Sequence, residues 1–467
     1  MKYGTAGFRD EATKLIEISY DIGRIIAYLT LNSNENYGIM ITASHNEYTD
    51  NGVKIVGYDG SMIQKKEEEI IENYINKAIS IKETYDFISP KKIYIGNDTR
   101  ESCIKIKEEI IRGIISMSFI IKIVDFGIVS TPQHHYLVKY NFENSEKYFY
   151  KYKDLNNLNI DFSNLIIDCA NGVGYITLNK LKNKLNLKYK LINNKINKYE
   201  LLNNNSGSDF IITNNQLPTE FDDLSKLGCS IDGDADRFIF YYYSDKLNIL
   251  DGDYIAALYL KAITKMLNQV NKIITIGYIH SPYTNKAVIN WVKTINPSIN
   301  IKCAATGVKN LHHKALKYDV SVYFESNGHG TLLINNRSLL EFDFFKNFVS
   351  LNNEVIGDAV SGIIGVHYCL KYLDINYKDW FNFFIKTDFL LYKKIVTDKN
   401  KFETNKIGNR LLRPITIQKE LDNINELYNC FCFIRPSGTE NIIRIYIESN
   451  NNIENIKNNI DLILEKY

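Results

Sequence analysis

Three carboxylates alternate over five residues in Asp232-Gly233-Asp234-Ala235-Asp236, with Arg237 directly after. In an extended or looped backbone alternate side chains share a face, so all three can converge on one point. Carboxylates that close repel strongly unless a cation neutralises them. A ligand set of oxygens, without His or Cys, points to Mg²⁺. Small spacers and an adjoining arginine suit a phosphoryl site better than an acidic surface turn. A second stretch, Thr42-Ala43-Ser44-His45-Asn46, follows the apolar run Tyr37-Gly38-Ile39-Met40-Ile41, which reads as a short strand. Ser44 stands where the chain leaves that strand, with His45 beside it and Lys54 ten positions on. A serine so placed is either a nucleophile and phosphate carrier or a residue that only turns the backbone.

Two further loops add complementary chemistry. Val320 to Phe324 reads as a strand ending in Glu325-Ser326-Asn327-Gly328-His329-Gly330, a dense set of donors and acceptors. Such a set suits a polyhydroxylated ligand such as a sugar. Near the C-terminus Arg435-Pro436-Ser437-Gly438-Thr439-Glu440 precedes Arg444. Two arginines and the backbone N–H groups near Gly438 can cradle a phosphate. No Gly-Lys-Ser/Thr occurs there, so the loop is not a Walker motif. A serine, a Mg²⁺ site, a sugar reader and a phosphate grip together suggest phosphoryl transfer on a phosphosugar. The general acid and base stay open among Lys54, His45 and His329.

The elements that must position these loops alternate between strand and helix, which predicts an α/β fold. Tyr3-Gly4-Thr5-Ala6-Gly7-Phe8-Arg9 is a glycine-punctuated turn whose Arg9 could face an anion. Helical spacing predicts helices over 17–31 and 62–81. Ile93 to Arg100 reads as strand, turn and helix start, with Asp98 or Thr99 a cap for a helix over about 101–115. A strand follows over 119–125, and Thr131-Pro132 opens another helix. Leu165 to Gly174 reads as strand, glycine turn and helix, with glycines where ligands sit in such sheets. The Asn- and Lys-rich stretch 188–206 reads as irregular surface. Leu250-Asp251-Gly252-Asp253 is expected to cap a helix over Tyr254 to Met266 rather than bind metal. Strands are expected at 273–276 and 300–305. His312 and His313 are neighbours on a helix and do not face each other, so they make no paired metal site. Residues 354–376 read as helix and linker, and the last unit as α+β.

The 467 residues are too many for one core and predict three or four domains. Hydrophobic content of 45% and charged content of 24% fit a globular protein. With 56 Lys and Arg against 54 Asp and Glu, the net charge is +2. That balance carries no footprint of nucleic acid or membrane binding. No signal peptide or membrane span is read, and the seven scattered cysteines are expected to be reduced thiols of a cytoplasmic monomer. Cys430 and Cys432 lack the second pair a zinc site needs.

The four loops resemble the signature loops of the α-D-phosphohexomutases. Tyr3 to Arg9, the early Ser44, Asp168 to Gly174, Thr306-Gly307-Val308-Lys309 with His312-His313, and Asn327 to Gly330 are most similar to the phosphoacetylglucosamine mutase branch. The resemblance covers essentially the whole chain. It implies four domains around a central cleft, three mixed α/β (1–150, 151–253 and 254–368) and a C-terminal α+β domain (369–467). It implies interconversion of N-acetylglucosamine 6-phosphate and 1-phosphate through phosphoserine 44 and a sugar 1,6-bisphosphate that also acts as activator, in UDP-N-acetylglucosamine biosynthesis. It implies one Mg²⁺ on Ser44, Asp232, Asp234 and Asp236, with His45, Lys54 and Arg237 catalytic. Substrate contacts would be Thr306, Gly307, Glu325, Ser326, Asn327 and His329 for the sugar. They would be Arg435, Pro436, Ser437, Gly438, Thr439 and Arg444 for the phosphate. The alternatives are a phosphoglucomutase or phosphomannomutase of the same fold, or a non-catalytic phosphosugar-binding protein. The chain departs from the family where Glu47 replaces the usual Pro, which is expected to loosen the serine loop, and in a short leader and compact length.

Overall fold

Four sheets carry the molecule, and each sends one of the loops above out of a hairpin. The structure, a computed structural model, describes residues 1–4, 7–33, 35–81, 91–269, 272–352, 355–437 and 441–465. Thr5, Ala6, Gly438, Thr439 and Glu440 lie outside the described residues.

The first sheet has strands β1 (Phe8–Glu11), β2 (Tyr37–Ile41), β3 (Asp50–Val56), β4 (Lys92–Asn97) and β5 (Lys122–Ile128) in the order β1-β3-β2-β4-β5. β2 pairs antiparallel with β3 and parallel with β4. Every residue of β2 is buried, as a strand covered on both faces requires. Helices Ala12–Asn32 and Cys103–Met117 cover one face. They cross at two glycines: a Cβ on Gly23 would fall 2.1 Å from the Ile110 carbonyl oxygen, and one on Gly113 would fall 2.0 Å from that of Tyr20. That close approach sets the two helices against each other on the sheet.

The second sheet holds β6 (Leu165–Asp168), β7 (Lys190–Ile192), β8 (Leu227–Ile231), β9 (Phe238–Tyr243) and β10 (Leu247–Leu250), ordered β10-β9-β8-β6-β7. The third holds β11 (Ile276–His280), β12 (Asn300–Cys303), β13 (Val320–Phe324) and β14 (Gly330–Ile334), ordered β12-β11-β13-β14. In the C-terminal unit β15 (Phe389–Ile395) joins β18 (Phe431–Pro436) and β19 (Ile442–Glu448) in the order β15-β19-β18, while β16 (Glu403–Thr404) and β17 (Leu411–Arg413) pair separately. The fold is the expected mixture of α/β units with an antiparallel, α+β C-terminal unit.

In the first three sheets the loop-bearing strand has a parallel partner on one side and its antiparallel hairpin partner on the other: β2/β3, β8/β9 and β13/β14. β18/β19 repeats the hairpin without the parallel partner. One large core runs from Met40 through Trp380 and Phe384 and unites the first three sheets. The C-terminal unit packs its own core from Phe402 to Leu464.

Several local expectations shift. The predicted strands at 119–125 and 273–276 begin later, at Lys122 and Ile276, because Phe119 and Ile273 are exposed chain rather than sheet. The stretch 188–206 is not all irregular surface, since it contains β7 and a 3₁₀ turn at Tyr199–Leu201. The helix expected over 62–81 is shorter, Lys65–Ile75. Asp98 does not cap the helix after it; its carboxylate takes Thr42 and Arg100 instead. Asp251 does cap its helix, accepting from the Asp253 N–H at 3.1 Å. All seven cysteines are free, and all but Cys303 are buried. Among the described residues no helix is long and apolar enough to cross a membrane.

Candidate active site

β8 delivers the acidic loop. Ala235 adopts φ 61, and its N–H bonds the Asp232 carbonyl oxygen at 3.1 Å, closing a tight turn. The Asp236 and Arg237 N–H groups both donate to Asp232 Oδ1 at 3.1 Å. That turn, not a strand face, brings ligand oxygens of Asp232, Asp234 and Asp236 within 4.8 Å of one another, with all three side chains buried.

Ser44 comes to this cluster from β2. Its hydroxyl donates to Asp232 Oδ2 at 2.6 Å, and it is only 1% exposed. Its φ is 54, a left-handed conformation that costs a residue with a Cβ about 1–2 kcal/mol. On β3, across from Met40, Lys54 donates from Nζ to Asp234 Oδ2 at 2.8 Å and Asp236 Oδ2 at 3.1 Å. Burial favours the neutral amine, but Asp234 and Asp236 outweigh it and raise the Lys54 pKa, so it is an ammonium. Thr131, at the start of helix Thr131–Lys139, donates to Asp234 Oδ2 at 2.6 Å.

The acidic cluster is short of positive charge. Burial and its two acidic neighbours push the Asp232 carboxyl well above the usual range. Burial also opposes ionisation of Asp236, yet His329, Lys54 and Arg237 hold it low. Asp234 Oδ1 and Asp236 Oδ1 are buried and accept no hydrogen bond among the described residues. Buried carboxylate oxygens left over in this way fit a hard divalent cation.

Donors surround the same spot. Arg237 gives Nη1 to Asp209 Oδ1 at 3.1 Å, and its Nε lies 3.7 Å from Asp232 and 3.8 Å from Asp236. His45 Nε2 lies 3.4 Å from Asp209 Oδ2, and burial together with Arg237 lowers its pKa to about 3. His329 Nδ1 lies 3.7 Å from Asp236, and burial lowers its pKa as well. Arg9 donates Nη1 to Asn46 Oδ1 at 3.0 Å. Buried Arg9 Nε, His45 Nδ1, Arg237 Nε and His329 Nε2 have no acceptor among the described residues. A pocket with spare carboxylate oxygens beside spare N–H groups is built for a cation and an anion together. Arg9, read in the sequence as able to face an anion, does lie here; Thr131 is read there only as a helix start, and Asp209 carries no spacing signal at all.

The sugar loop leaves β13. Glu325 Oε1 accepts from the Gly307 N–H at 2.8 Å, and Asn327 Oδ1 from the His329 N–H at 3.1 Å. The Ser326 hydroxyl turns onto Asp253 at 3.1 Å and the Tyr283 carbonyl at 3.3 Å. Gly307, at φ 106, precedes helix Val308–Ala315, and Thr306 accepts from Arg435 Nη1. Arg435 on β18 stands directly across from Arg444 on β19, Pro436 pairs with Ile443, and the Ser437 N–H bonds Ile442 at 2.9 Å. Two like charges facing each other on one sheet are unfavourable without an anion between them.

This arrangement matches known proteins along its length. The family model "Phosphoglucomutase/phosphomannomutase, alpha/beta/alpha domain I" matches residues 5–82 and 78–145. "Phosphoacetylglucosamine mutase AMG1, domain II" matches 125–239, and domain III of the same name matches 251–375. Solved structures share the fold. The Aspergillus fumigatus N-acetylphosphoglucosamine mutase in complex with GlcNAc-6P and magnesium is 26% identical with a TM-score of 0.92, over 99% of this chain and 95% of that one. An N-acetylglucosamine-phosphate mutase in its substrate complex, described as a member of the α-D-phosphohexomutase superfamily, is 30% identical with a TM-score of 0.88, over 99% and 95%. Fold and site thus define an enzyme of the phosphohexomutase class. The phosphoacetylglucosamine mutase of Candida albicans is 32% identical over 97% of this chain and 94% of its own length, and the human one is 28% identical over 96% and 90%. The chain belongs to the phosphoacetylglucosamine mutase family.

Proposed function

We propose that this chain interconverts N-acetylglucosamine 6-phosphate and N-acetylglucosamine 1-phosphate through a phosphoserine at Ser44 and a sugar 1,6-bisphosphate held in the cleft. The observation that carries the reading is the buried Ser44 hydroxyl, 2.6 Å from Asp232 in the three-carboxylate cluster. The ligands of the solved relatives, a sugar phosphate with magnesium in one and glucose 1,6-bisphosphate in another, support it.

In the forward step the bond from Ser44 Oγ to phosphorus breaks as a bond from the sugar hydroxyl to phosphorus forms. The hydroxyl proton leaves to a base. The bisphosphate then turns, its other phosphoryl group returns to Ser44, and the sugar oxygen left behind takes a proton. Burial keeps His45 neutral, the form that accepts a proton, and works against charge on His329, while Lys54 is an ammonium, the form that donates one. Asp232, Asp234, Asp236 and the Ser44 oxygen would hold Mg²⁺, whose charge offsets that of the phosphoryl group in flight. Arg237 and Arg9 add positive charge at the same point. Thr306, Gly307, Glu325, Ser326, Asn327 and His329 line the sugar. Arg435, Pro436, Ser437, Gly438, Thr439 and Arg444 grip the phosphate that is not moving and set its distance from Ser44.

Intact mass of the purified protein is expected to show one phosphate, lost together with turnover in Ser44→Ala. An active, unphosphorylated Ser44→Ala protein refutes the mechanism. In a coupled assay N-acetylglucosamine 6-phosphate should turn over well above glucose 6-phosphate. Equal or reversed rates favour the phosphoglucomutase alternative.

A further inference from the structure

We propose that Arg100 and Asn203 are positioning residues that hold Ser44 in its left-handed conformation by gripping the same two backbone carbonyls from two different units of the fold. The inference rests on the reading of Ser44 as phosphoryl carrier.

The Ser44 carbonyl accepts from Arg100 Nη2 at 3.2 Å and from Asn203 Nδ2 at 2.9 Å. The Asn46 carbonyl accepts from the same two nitrogens, at 2.8 Å and 3.0 Å. A carbonyl oxygen has two lone pairs, so both oxygens are saturated. Arg100 follows β4 in the first unit, while Asn203 follows a 3₁₀ turn in the second.

Arg100 is itself fixed. It is 2% exposed, its Nη1 is on Asp98 Oδ2, and its own N–H donates to Asp98 Oδ1 at 2.9 Å. Asp98 Oδ2 takes the Thr42 hydroxyl at 2.7 Å, and Thr42 Oγ1 accepts the Ser44 N–H at 2.9 Å. The chain of bonds therefore returns to Ser44 and grips its backbone at both the N–H and the carbonyl. Asn203 is held by its N–H on the Ala170 carbonyl at 3.0 Å. Gly233 leaves the room: a Cβ there would sit 2.7 Å from the Ser44 carbonyl oxygen and 2.9 Å from Asn203 Nδ2.

The sequence predicts a serine loop loosened at Glu47. Glu47 is exposed, and the loop is held through the Ser44 and Asn46 carbonyls on either side of His45. The side-chain hydrogen bonds of the clamp go to two backbone carbonyls and to Asp98. Loss of the clamp should misplace the phosphoryl group while leaving ground-state binding alone, a pattern that lowers kcat without raising KM.

The test compares Asn203→Ala, the isosteric Asn203→Asp, and Arg100→Lys, with phosphate per chain read by intact mass. In Asn203→Ala, kcat per phosphorylated chain is expected to fall by about tenfold to a hundredfold, with KM within about twofold. Asn203→Asp should fall further, because it fills the same space but sets a carboxylate against two carbonyls. A residue that only fills space would show the opposite order. Arg100→Lys keeps the charge but loses the fork, and should fall as Asn203→Ala does; Asn203, being partly exposed, carries the test if buried Arg100 variants do not fold. Wild-type kcat in Asn203→Ala, an Asp variant as active as the parent, or a loss confined to KM or to the phosphorylated fraction would each overturn the clamp. A parent chain without turnover would instead strike down the mutase reading, and the clamp with it.

Discussion

Lys54 sits at the centre of the acidic cluster, bonded to Asp234 and Asp236 with all three side chains buried. Removing one partner of a buried ion pair typically costs about 3–5 kcal/mol, because the other charges are left uncompensated. Lys54→Met should lose stability of that order in denaturant titrations without divalent cation. Added Mg²⁺ should restore much of it; a variant that melts like the parent, or that ignores Mg²⁺, would show that the cluster does not depend on positive charge. The Asp triplet was legible in the sequence because its alternation is local, and Ser44 because it leaves a short apolar strand. Asp209 was not, since what makes it matter is a 3.1 Å contact with Arg237, 28 residues on. Asn203 was lost for a similar reason: its neighbours are asparagines, and nothing in a run of asparagines says that one reaches back 159 residues to the serine loop.

At the level of elements, the helix Thr131–Lys139 joins site to core. Its first residue bonds Asp234, and its next turn buries His134 and His135. Burial lowers the pKa of His134 to about 3 and of His135 to about 4, and burial with His313 lowers that of His312 to about 4, against an ordinary value of 6.5. Unfolding exposes all three, so below about pH 6.5 the unfolded chain binds protons that the native chain does not. Stability must therefore fall as pH falls through that value and on towards 4, by about 1.4 kcal/mol per pH unit for each histidine. Melting temperatures between pH 7 and pH 5 check this, and His134→Asn should flatten the slope whatever it does to the melting temperature at neutral pH; an unchanged slope contradicts it. The strands leading into the serine and sugar loops were readable; the antiparallel return strands that make hairpins of them were not. Where strands begin was less legible, because Phe119 and Ile273 are as apolar as the sheet residues that follow them and only tertiary packing leaves them outside.

For the molecule as a whole, three sheets share one core and the fourth has its own. The C-terminal unit meets the rest through a few polar ties, among them Lys286 N–H to Glu448 at 2.9 Å and Asn285 to Thr387 at 2.8 Å, and through Tyr283 against Phe433 and Tyr446. Hydrogen exchange should find β15, β18 and β19 opening at lower free energy than β8, β11 and β13. Equal protection across all four sheets would mean that the fourth unit unfolds only with the others. Independence of that unit would let Arg435 and Arg444 move as a block relative to Ser44. The sequence announced the unit through its α+β pattern, but not that its core is separate, which depends on which faces meet.

The burial of Ser44 bears on how the protein could ever be switched. A protein kinase or phosphatase works on a serine it can draw out in an extended, accessible stretch. Ser44 is 1% exposed, left-handed at φ 54 and tied down through its own peptide groups. A serine so buried favours exchange with small molecules over exchange with a protein active site. A phosphate carried there would then record the last sugar bisphosphate encountered, a memory of metabolite supply that signalling enzymes could neither write nor erase.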